Sequence, residues 1–376
     1  MDKMLASLEK IGGSSGFTVF GGEPLLTPLA DLEKFLESSF KLSGSSGVQT
    51  NASLITEAHF EMFEKYKTHV GVSIDGPAEL NDARRLETLE ATRSATAKSC
   101  AALEELLRRE IPCSLILTLH SLNASRSRIK LLLSWLQTLA ELGLQNARLH
   151  LLEVDSPEAA KLALGEEEAF EALVTLHRAE PMLGIHFDIF KEMLALLRGD
   201  DESTTCIWNA CDPQTTAAVQ AVGPQGELLN CARTYKTDVS WLKSETPSYA
   251  RQLALYATPF ADGGCADCRF FLMCKGQCPG EAMLGDPRNR SANCGIWFRL
   301  FEHLEAALLA TRELPLSLAP HRKQIEAAAL WEWEAGRQVS IRRASALASR
   351  GSGFNSSSAV EHGDAHGDHT DFGGRK

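Results

Sequence analysis

Cys265-Ala-Asp-Cys268-Arg-Phe-Phe-Leu-Met-Cys274-Lys-Gly-Gln-Cys278 places four cysteines in fourteen residues, and a fifth, Cys294, follows after a loop. The spacing is C-x2-C-x5-C-x3-C. No packing rule needs so many thiols in so short a stretch. Metal coordination does, because several thiolates must converge on one small volume. The chain has ten cysteines, and eight of them fall between Cys206 and Cys294. Eight thiolates make two four-ligand sites with none left over. Zinc is the rival to iron and sulfur, since paired C-x2-C units also describe zinc ribbons and fingers. Disulfides are a third reading, weakened because residues 1–13 carry Asp2, Lys3, Glu9 and Lys10 and no long apolar core of an export signal. Cys100 and Cys113 lie alone, in a predicted helix and a predicted strand, and read as small buried hydrophobes.

Upstream of these cysteines, short apolar runs at 17–20, 47–50, 70–74, 112–119 and 147–154 alternate with helical patterns at 25–40, 55–66, 86–109 and 127–142. Such alternation with short loops predicts parallel strands joined by right-handed crossovers. Strands this apolar are expected to be buried on both faces. Further helices are predicted over 166–179 and 189–197. The loops GGSSG (12–16) and SGSSG (43–47) precede strands instead of following them, so they read as connectors and not as phosphate cradles. Near Gly199-Asp200-Asp201 the alternation stops, and a hairpin across 217–229, about Gly223-Pro-Gln-Gly226, opens a second region. A single helix over 326–348 is predicted next. Residues 349–376, rich in Gly, Ser, Asp and His, read as a disordered tail. The domain plan is 1–199, 200–310, a helical extension over 311–348, and the tail. With 376 residues, 44% hydrophobic and 23% charged, the composition is that of a soluble globular protein. The net charge of -11 argues against a nucleic-acid partner. No run approaches a membrane span, and the expected location is cytoplasmic.

The cysteines also carry a resemblance. Gly226 and Cys231 make G-x4-C, and Cys211 lies before it. With C-x2-C-x5-C-x3-C and the trailing Cys294, this resembles the seven-cysteine SPASM pattern of radical S-adenosylmethionine (radical SAM) enzymes. The resemblance implies two auxiliary [4Fe-4S] clusters. Cys206, Cys211, Cys231 and Cys278 would hold the first, and Cys265, Cys268, Cys274 and Cys294 the second, so that Cys278 crosses from one to the other. Phe20-Gly21-Gly22-Glu23-Pro24 is similar to the GGEP motif that ends the second strand of the radical SAM barrel. Gln49-Thr-Asn51 and Ser73-Ile-Asp75-Gly-Pro77 end the next two strands as in that family, with Asp82 and Arg85 at its spacing. Strand ends on one rim of a parallel sheet are also where α/β proteins place ligands on general grounds. By resemblance, Gly21, Gly22, Glu23 and Pro24 hold the ammonium of S-adenosylmethionine. Asn51, Ser73 and Asp75 stand at its rim, and Arg85 pairs its carboxylate. The implied fold class is α/β: a partial (β/α) barrel of radical SAM type lacking its first strand, then a small SPASM domain and C-terminal helices.

The family's defining C-x3-C-x2-C motif does not occur in this sequence. Family layout puts it upstream of Met1, so the expectation is a chain given without its N-terminal segment. In an intact member, one-electron reduction of S-adenosylmethionine yields a radical that takes hydrogen from the substrate. The resemblance implies a ribosomally made precursor peptide or a protein as substrate, and a reductant such as flavodoxin or ferredoxin. Cys274-Lys-Gly-Gln-Cys-Pro-Gly280 and Gly285-Asp-Pro-Arg-Asn-Arg290 resemble the peptide-maturase group. Anaerobic sulfatase maturases, another branch, carry Asp after the cysteine of G-x4-C as a proposed base. Here that residue is Ala232, followed by Arg233, which counts against this branch, although Asp238 lies nearby in sequence. The alternatives are a catalytically incomplete iron-sulfur homologue and a zinc module on an α/β scaffold. His120, at a strand end, reads as core. Of Trp331 and Trp333, on different helix faces, one is expected to pack. Glu166-Glu-Glu168 reads as an acidic first helical turn, and His362, His366 and His369 as part of the solvated tail.

Overall fold

The computed structural model describes residues 2–12, 16–234 and 242–350. Six strands form one sheet in chain order: β1 (Thr18–Val19), β2 (Ser46–Thr50), β3 (Thr68–Ser73), β4 (Cys113–Leu119), β5 (Asn146–Leu151) and β6 (His186–Phe187). Every neighbouring pair is parallel. Helices Leu29–Ser43, Glu57–Lys65, Leu89–Arg108, Ile129–Glu141 and Glu166–Leu183 make the crossovers. The alternation in the sequence thus becomes an α/β sheet. β6, two residues long, is too short to show a period in sequence.

Parallel register separates two faces. The rows Thr18–Gly47–His69, Gln49–Gly71–Ser114, Ser73–Ile116–Arg148 and Thr118–His150 share one face. The intervening rows, Val48–Val70, Val72–Leu115–Ala147–Phe187, Leu117–Leu149 and Leu119–Leu151, share the other. This second face is buried and packs with the helix residues Leu32, Leu36, Phe63, Leu103, Leu106 and Leu132. The first face is polar and lines an open cavity of about 1000 Å³, with Thr18, Gln49, His69, Ser114 and Arg148 in its wall. The expectation of two apolar faces is therefore corrected. Helices cover one side of the sheet, and on the other side alternate positions bear Thr, Gln, His, Ser, Arg or Gly, with Ile116 the one apolar residue in these rows.

Beyond Leu197 regular structure thins. The predicted hairpin is present as antiparallel β7 (Ala221–Val222) and β8 (Leu228–Leu229). Helix Cys294–Ala310 docks this cysteine-rich region onto helices Glu166–Leu183 and Asp188–Leu197, through residues such as Leu300, Phe301 and Leu304. The single helix predicted over 326–348 is in fact two, Arg322–Glu334 and Ile341–Ser349. Gly336, at φ 70°, ends the first in a left-handed conformation that glycine takes without strain. Trp333 is buried and stacks on Tyr249 at 6.1 Å, while Trp331 is half exposed. No helix among the described residues is long and apolar enough to cross a membrane. The tail and its histidines lie outside the described residues.

Candidate functional site

The C-terminal ends of the parallel strands open on one rim, and the predicted barrel residues sit there. β1 runs into Gly21 (φ 120°) and Gly22 (φ 33°), conformations that side chains with a Cβ disfavour. The turn brings Glu23 back over the sheet. Its carboxylate accepts from Leu25 N (3.1 Å), Thr50 Oγ1 and Asn51 N (2.9 Å). Glu23 is thus a fixed, half-buried anion across the ends of β1 and β2, suited to an ammonium group. Asn51 Oδ1 accepts from Ser53 N and Oγ (2.9 and 2.7 Å), which leaves its amide nitrogen to donate. Pro24 is buried under the turn, and Ser73 is half-buried at the end of β3.

Asp75 has a different environment from the one a ligand contact requires. It is 2% exposed. Arg84 grips both its oxygens (2.8 Å each), and Thr118 N donates to Oδ1 (2.8 Å). Asn81 and Asn123 fix its backbone. His120, fully buried as expected, accepts from Leu122 N on Nδ1, which puts its proton on Nε2. That nitrogen lies 3.4 Å from Asp75 Oδ2, an electrostatic contact without a formed hydrogen bond. Burial pushes the Asp75 carboxyl up, but His120 and Arg84 outweigh it and hold the group below its ordinary range. Arg84 was not singled out in sequence, although it adjoins Arg85. Arg85 itself is exposed and forms no ion pair among the described residues. Asp82 pairs with Arg93 at 2.9 Å.

Two further groups on the polar face escaped sequence reading. His150, at the end of β5, is pushed down to about 3 by burial and by Arg233, Arg148 and Arg84 around it, so it is a neutral imidazole. Arg233 reaches from the cysteine-rich region to Glu153, just after β5, and to Glu281, just after Cys278. It joins the two halves at the rim. The partners are 80 residues apart for Glu153 and 48 for Glu281, so no local pattern signals them.

The ten cysteines are all free thiols. Burial pushes Cys100 and Cys113 up to about 11, in keeping with inert core positions. The other eight act on one another in two sets. Cys211 feels Cys206, Cys278 and Cys231, and Cys206 and Cys278 each feel Cys231. Cys274 feels Cys294, Cys265 and Cys268, and Cys265 feels Cys294 and Cys268. In both sets burial is the main cause, and it pushes Cys265 and Cys278 up to about 12. Among the described residues no three Cys, His, Asp or Glu side chains stand close enough to hold a single metal ion.

The opening stretch has a local geometry suited to serving both sets. After helix Phe271–Cys274, three successive residues take left-handed backbone: Lys275 (φ 51°), Gly276 (φ 79°) and Gln277 (φ 62°). This conformation is unfavourable for lysine and glutamine. It is held by Lys275 N to Phe271 O (2.7 Å), Gln277 N to Cys274 O (3.0 Å) and the buried Lys275 ammonium on Trp208 O (2.8 Å). The reversal separates Cys278 from Cys274. Buried polar atoms without partners lie close to cysteines in sequence: Nδ2 and Oδ1 of Asn230 beside Cys231, Nε2 of Gln277 beside Cys278, and Nε of Arg290 four residues before Cys294. Four thiols with such donors fit a cluster that takes one thiolate per iron.

Comparisons with known proteins return the group that the cysteine spacing resembles. A serine-type anaerobic sulfatase-maturating enzyme of Bacteroides thetaiotaomicron is 40% identical over 73 residues, 18% of this chain and 18% of that protein. A cysteine-type enzyme of Clostridium perfringens is 35% identical over 83 residues, 21% of this chain and 22% of that protein. The matches thus span about a fifth of these relatives' lengths. Among solved structures, native anSMEcpe with bound AdoMet and Cp18Cys peptide superposes with a TM-score of 0.64 at 18% identity, covering 82% of this chain and 89% of that one. Streptococcus suis SuiB bound to S-adenosylmethionine gives 0.54 at 14% identity, covering 78% and 69%. No family model matches.

Proposed function

We propose that this chain, whose α/β fold is that of radical SAM maturase structures, carries the barrel and the auxiliary-cluster part of an enzyme that modifies a peptide or protein. The feature that carries the reading is the spacing of eight cysteines between Cys206 and Cys294, all of them free thiols. Cys206, Cys211, Cys231 and Cys278 hold one [4Fe-4S] cluster, and Cys265, Cys268, Cys274 and Cys294 the other. When bound, these groups supply one-electron transfer. At the rim, Glu23, fixed by Thr50 and Asn51, takes the ammonium of S-adenosylmethionine, with the backbone of Gly21, Gly22 and Pro24 beside it. Asn51 and Ser73 donate to the same ligand. Asp75 acts from behind by holding Arg84 and the end of β4. The exposed Arg85 is free for the carboxylate. The polar face below offers a cavity of about 1000 Å³ for an extended substrate segment.

No C-x3-C-x2-C occurs in these 376 residues, so they supply no such ligand set for a cluster that cleaves S-adenosylmethionine, and no cleavage step is assigned to them. The sulfatase-maturating relatives favour a second reading, oxidation of a serine or cysteine within a protein. Ala232, after Cys231, speaks against it, and Asp238 lies outside the described residues. Anaerobic purification tests the main reading. A brown protein with about eight irons that binds S-adenosylmethionine is the expected result. A colourless zinc protein would overturn it.

A further inference from the structure

Two arginines in the cysteine-rich region are buried without a carboxylate partner. Arg251, in helix Ala250–Ala257, is 5% exposed. It donates only to backbone carbonyls: Pro287 O (2.6 Å), Cys211 O (3.2 Å), Asn289 O (2.9 Å) and Gly276 O (3.5 Å). Arg290 is 6% exposed and donates to Phe260 O (2.7 Å) and Gly264 O (2.9 Å), with its guanidinium 3.6 Å from the Phe260 ring centroid and Nε unpartnered. Neither forms an ion pair among the described residues. A buried cation without a counter-ion is strongly unfavourable, so a negative charge belongs nearby. The neighbouring buried cations show the contrast. Lys275 has Asp201 at 3.5 Å, and Arg233 has Glu153 and Glu281. Lys243, facing the first set, is only half-buried.

The surroundings say where that charge lies. Arg251 donates to the carbonyl of Cys211, in the first set, and to that of Gly276, in the turn between Cys274 of the second set and Cys278 of the first. Arg290, four residues before Cys294, donates to the carbonyl of Gly264, the residue before Cys265. Arg251 therefore lies between the two sets, and Arg290 lies at the second alone. A four-thiolate [4Fe-4S] cluster is anionic in both redox states and gains one further negative charge on reduction.

Resting on the cluster reading above, we infer that Arg251 and Arg290 are the built-in counter-charges of the two sites, Arg251 shared by both and Arg290 confined to the second. Each guanidinium favours the reduced form of the cluster it faces. Through the shared Arg251, both sites feel a single charge.

The test is a potentiometric titration with dithionite, followed by electron paramagnetic resonance on the iron-loaded full chain. Two backgrounds isolate the sites: Cys268→Ala keeps the first cluster, and Cys211→Ala keeps the second. In the first background Arg251→Gln lowers the reduced-to-oxidised ratio at a fixed potential about tenfold, or about 59 mV for a one-electron couple, and Arg290→Gln leaves it unchanged. In the second background both substitutions lower it. Arg251→Lys, which keeps the charge, retains the parent ratio at equal iron content. Should Arg251→Gln not fold, Arg290→Gln decides alone, since its effect must appear in one background only. Full iron with unmoved potentials overturns this inference and leaves the cluster reading standing. A chain that takes up no iron overturns both.

Discussion

The barrel rim and the cysteine-rich region treat buried charge in opposite ways. At the rim the shielded carboxylates are answered from within the protein: Asp75 by the Arg84 fork, and Glu23 by a hydroxyl and two backbone N–H groups. In the cysteine-rich region Arg290, Asn230 and Gln277 carry buried atoms with no partner among the described residues, and Arg251 is answered by backbone carbonyls alone. On the reading proposed above, the barrel answers its most buried carboxylate, Asp75, with its own arginine, whereas the second region would be completed by what its thiols bind. Thiolate–metal binding contributes on the order of 10 kcal/mol to folding in small metal domains. Stripping iron should therefore have the largest effect. Hydrogen exchange and limited proteolysis on the iron-free chain are expected to show residues 200–310 opened and the sheet residues still protected. Equal protection of the two regions would break the comparison.

The second prediction concerns the place where the two regions meet. Arg233→Ala leaves Glu153 and Glu281 without their shared guanidinium, each of them largely shielded from solvent. Loss of about 2–3 kcal/mol is expected, read as a lower denaturant midpoint, with Arg233→Lys recovering part of it. A midpoint unchanged by the alanine would mean that the contact adds nothing to the docking already made by helix Cys294–Ala310.

How much of this the sequence disclosed follows from the range of each interaction. Strand–helix alternation, the hairpin at Gly226 and the cysteine spacings are local, and all were readable. The polar face was not, because short strands rich in Val, Leu and Ile hide a second set of residues at alternate positions. Gln49, Ser114 and Arg148 are seen as neighbours only once the register is fixed. Gly336 was readable in principle as a helix end, but the apolar pattern on both sides of it favoured one long helix. That Arg84 grips Asp75, and that Arg233 reaches Glu153, are matters of side-chain direction across separate segments. Sequence spacing places such residues on a rim without saying which of them turns inward.

The pH dependence of stability sharpens the barrel side of the comparison. His150 has a folded value of about 3, below the ordinary histidine value of about 6.5. Between those limits the unfolded chain binds the extra proton, so the contribution is fully present above about pH 6.5 and is lost as pH falls toward 3. Asp75 is also depressed. Its contribution is present above the ordinary carboxylate value of about 4 and is lost at lower pH. His150→Gln should flatten the stability curve between about pH 6.5 and 4, and Asp75→Asn should flatten it below that. Urea titrations across the range measure both. A His150→Gln curve parallel to the parent would show that the imidazole is solvated and not held neutral by the arginines.

The smallest effect is expected at Arg85. Its neighbour Arg84 is committed to Asp75 through two hydrogen bonds of 2.8 Å, so a ligand carboxylate would have to compete with a buried anion for it. Arg85 is exposed and unpaired among the described residues, which makes it available but also weak. An ion pair in water contributes about 0–1 kcal/mol and is screened by salt. Arg85→Ala should therefore weaken S-adenosylmethionine binding by no more than about fivefold in calorimetry, and the difference should vanish at high salt. Arg84→Ala should weaken it more, through the freed Asp75, and keep that effect at high salt. If Arg85→Ala instead causes a salt-independent loss beyond tenfold, the rim closes over its ligand and buries this arginine. The barrel would then share with the cysteine-rich region the property of being completed by what it binds.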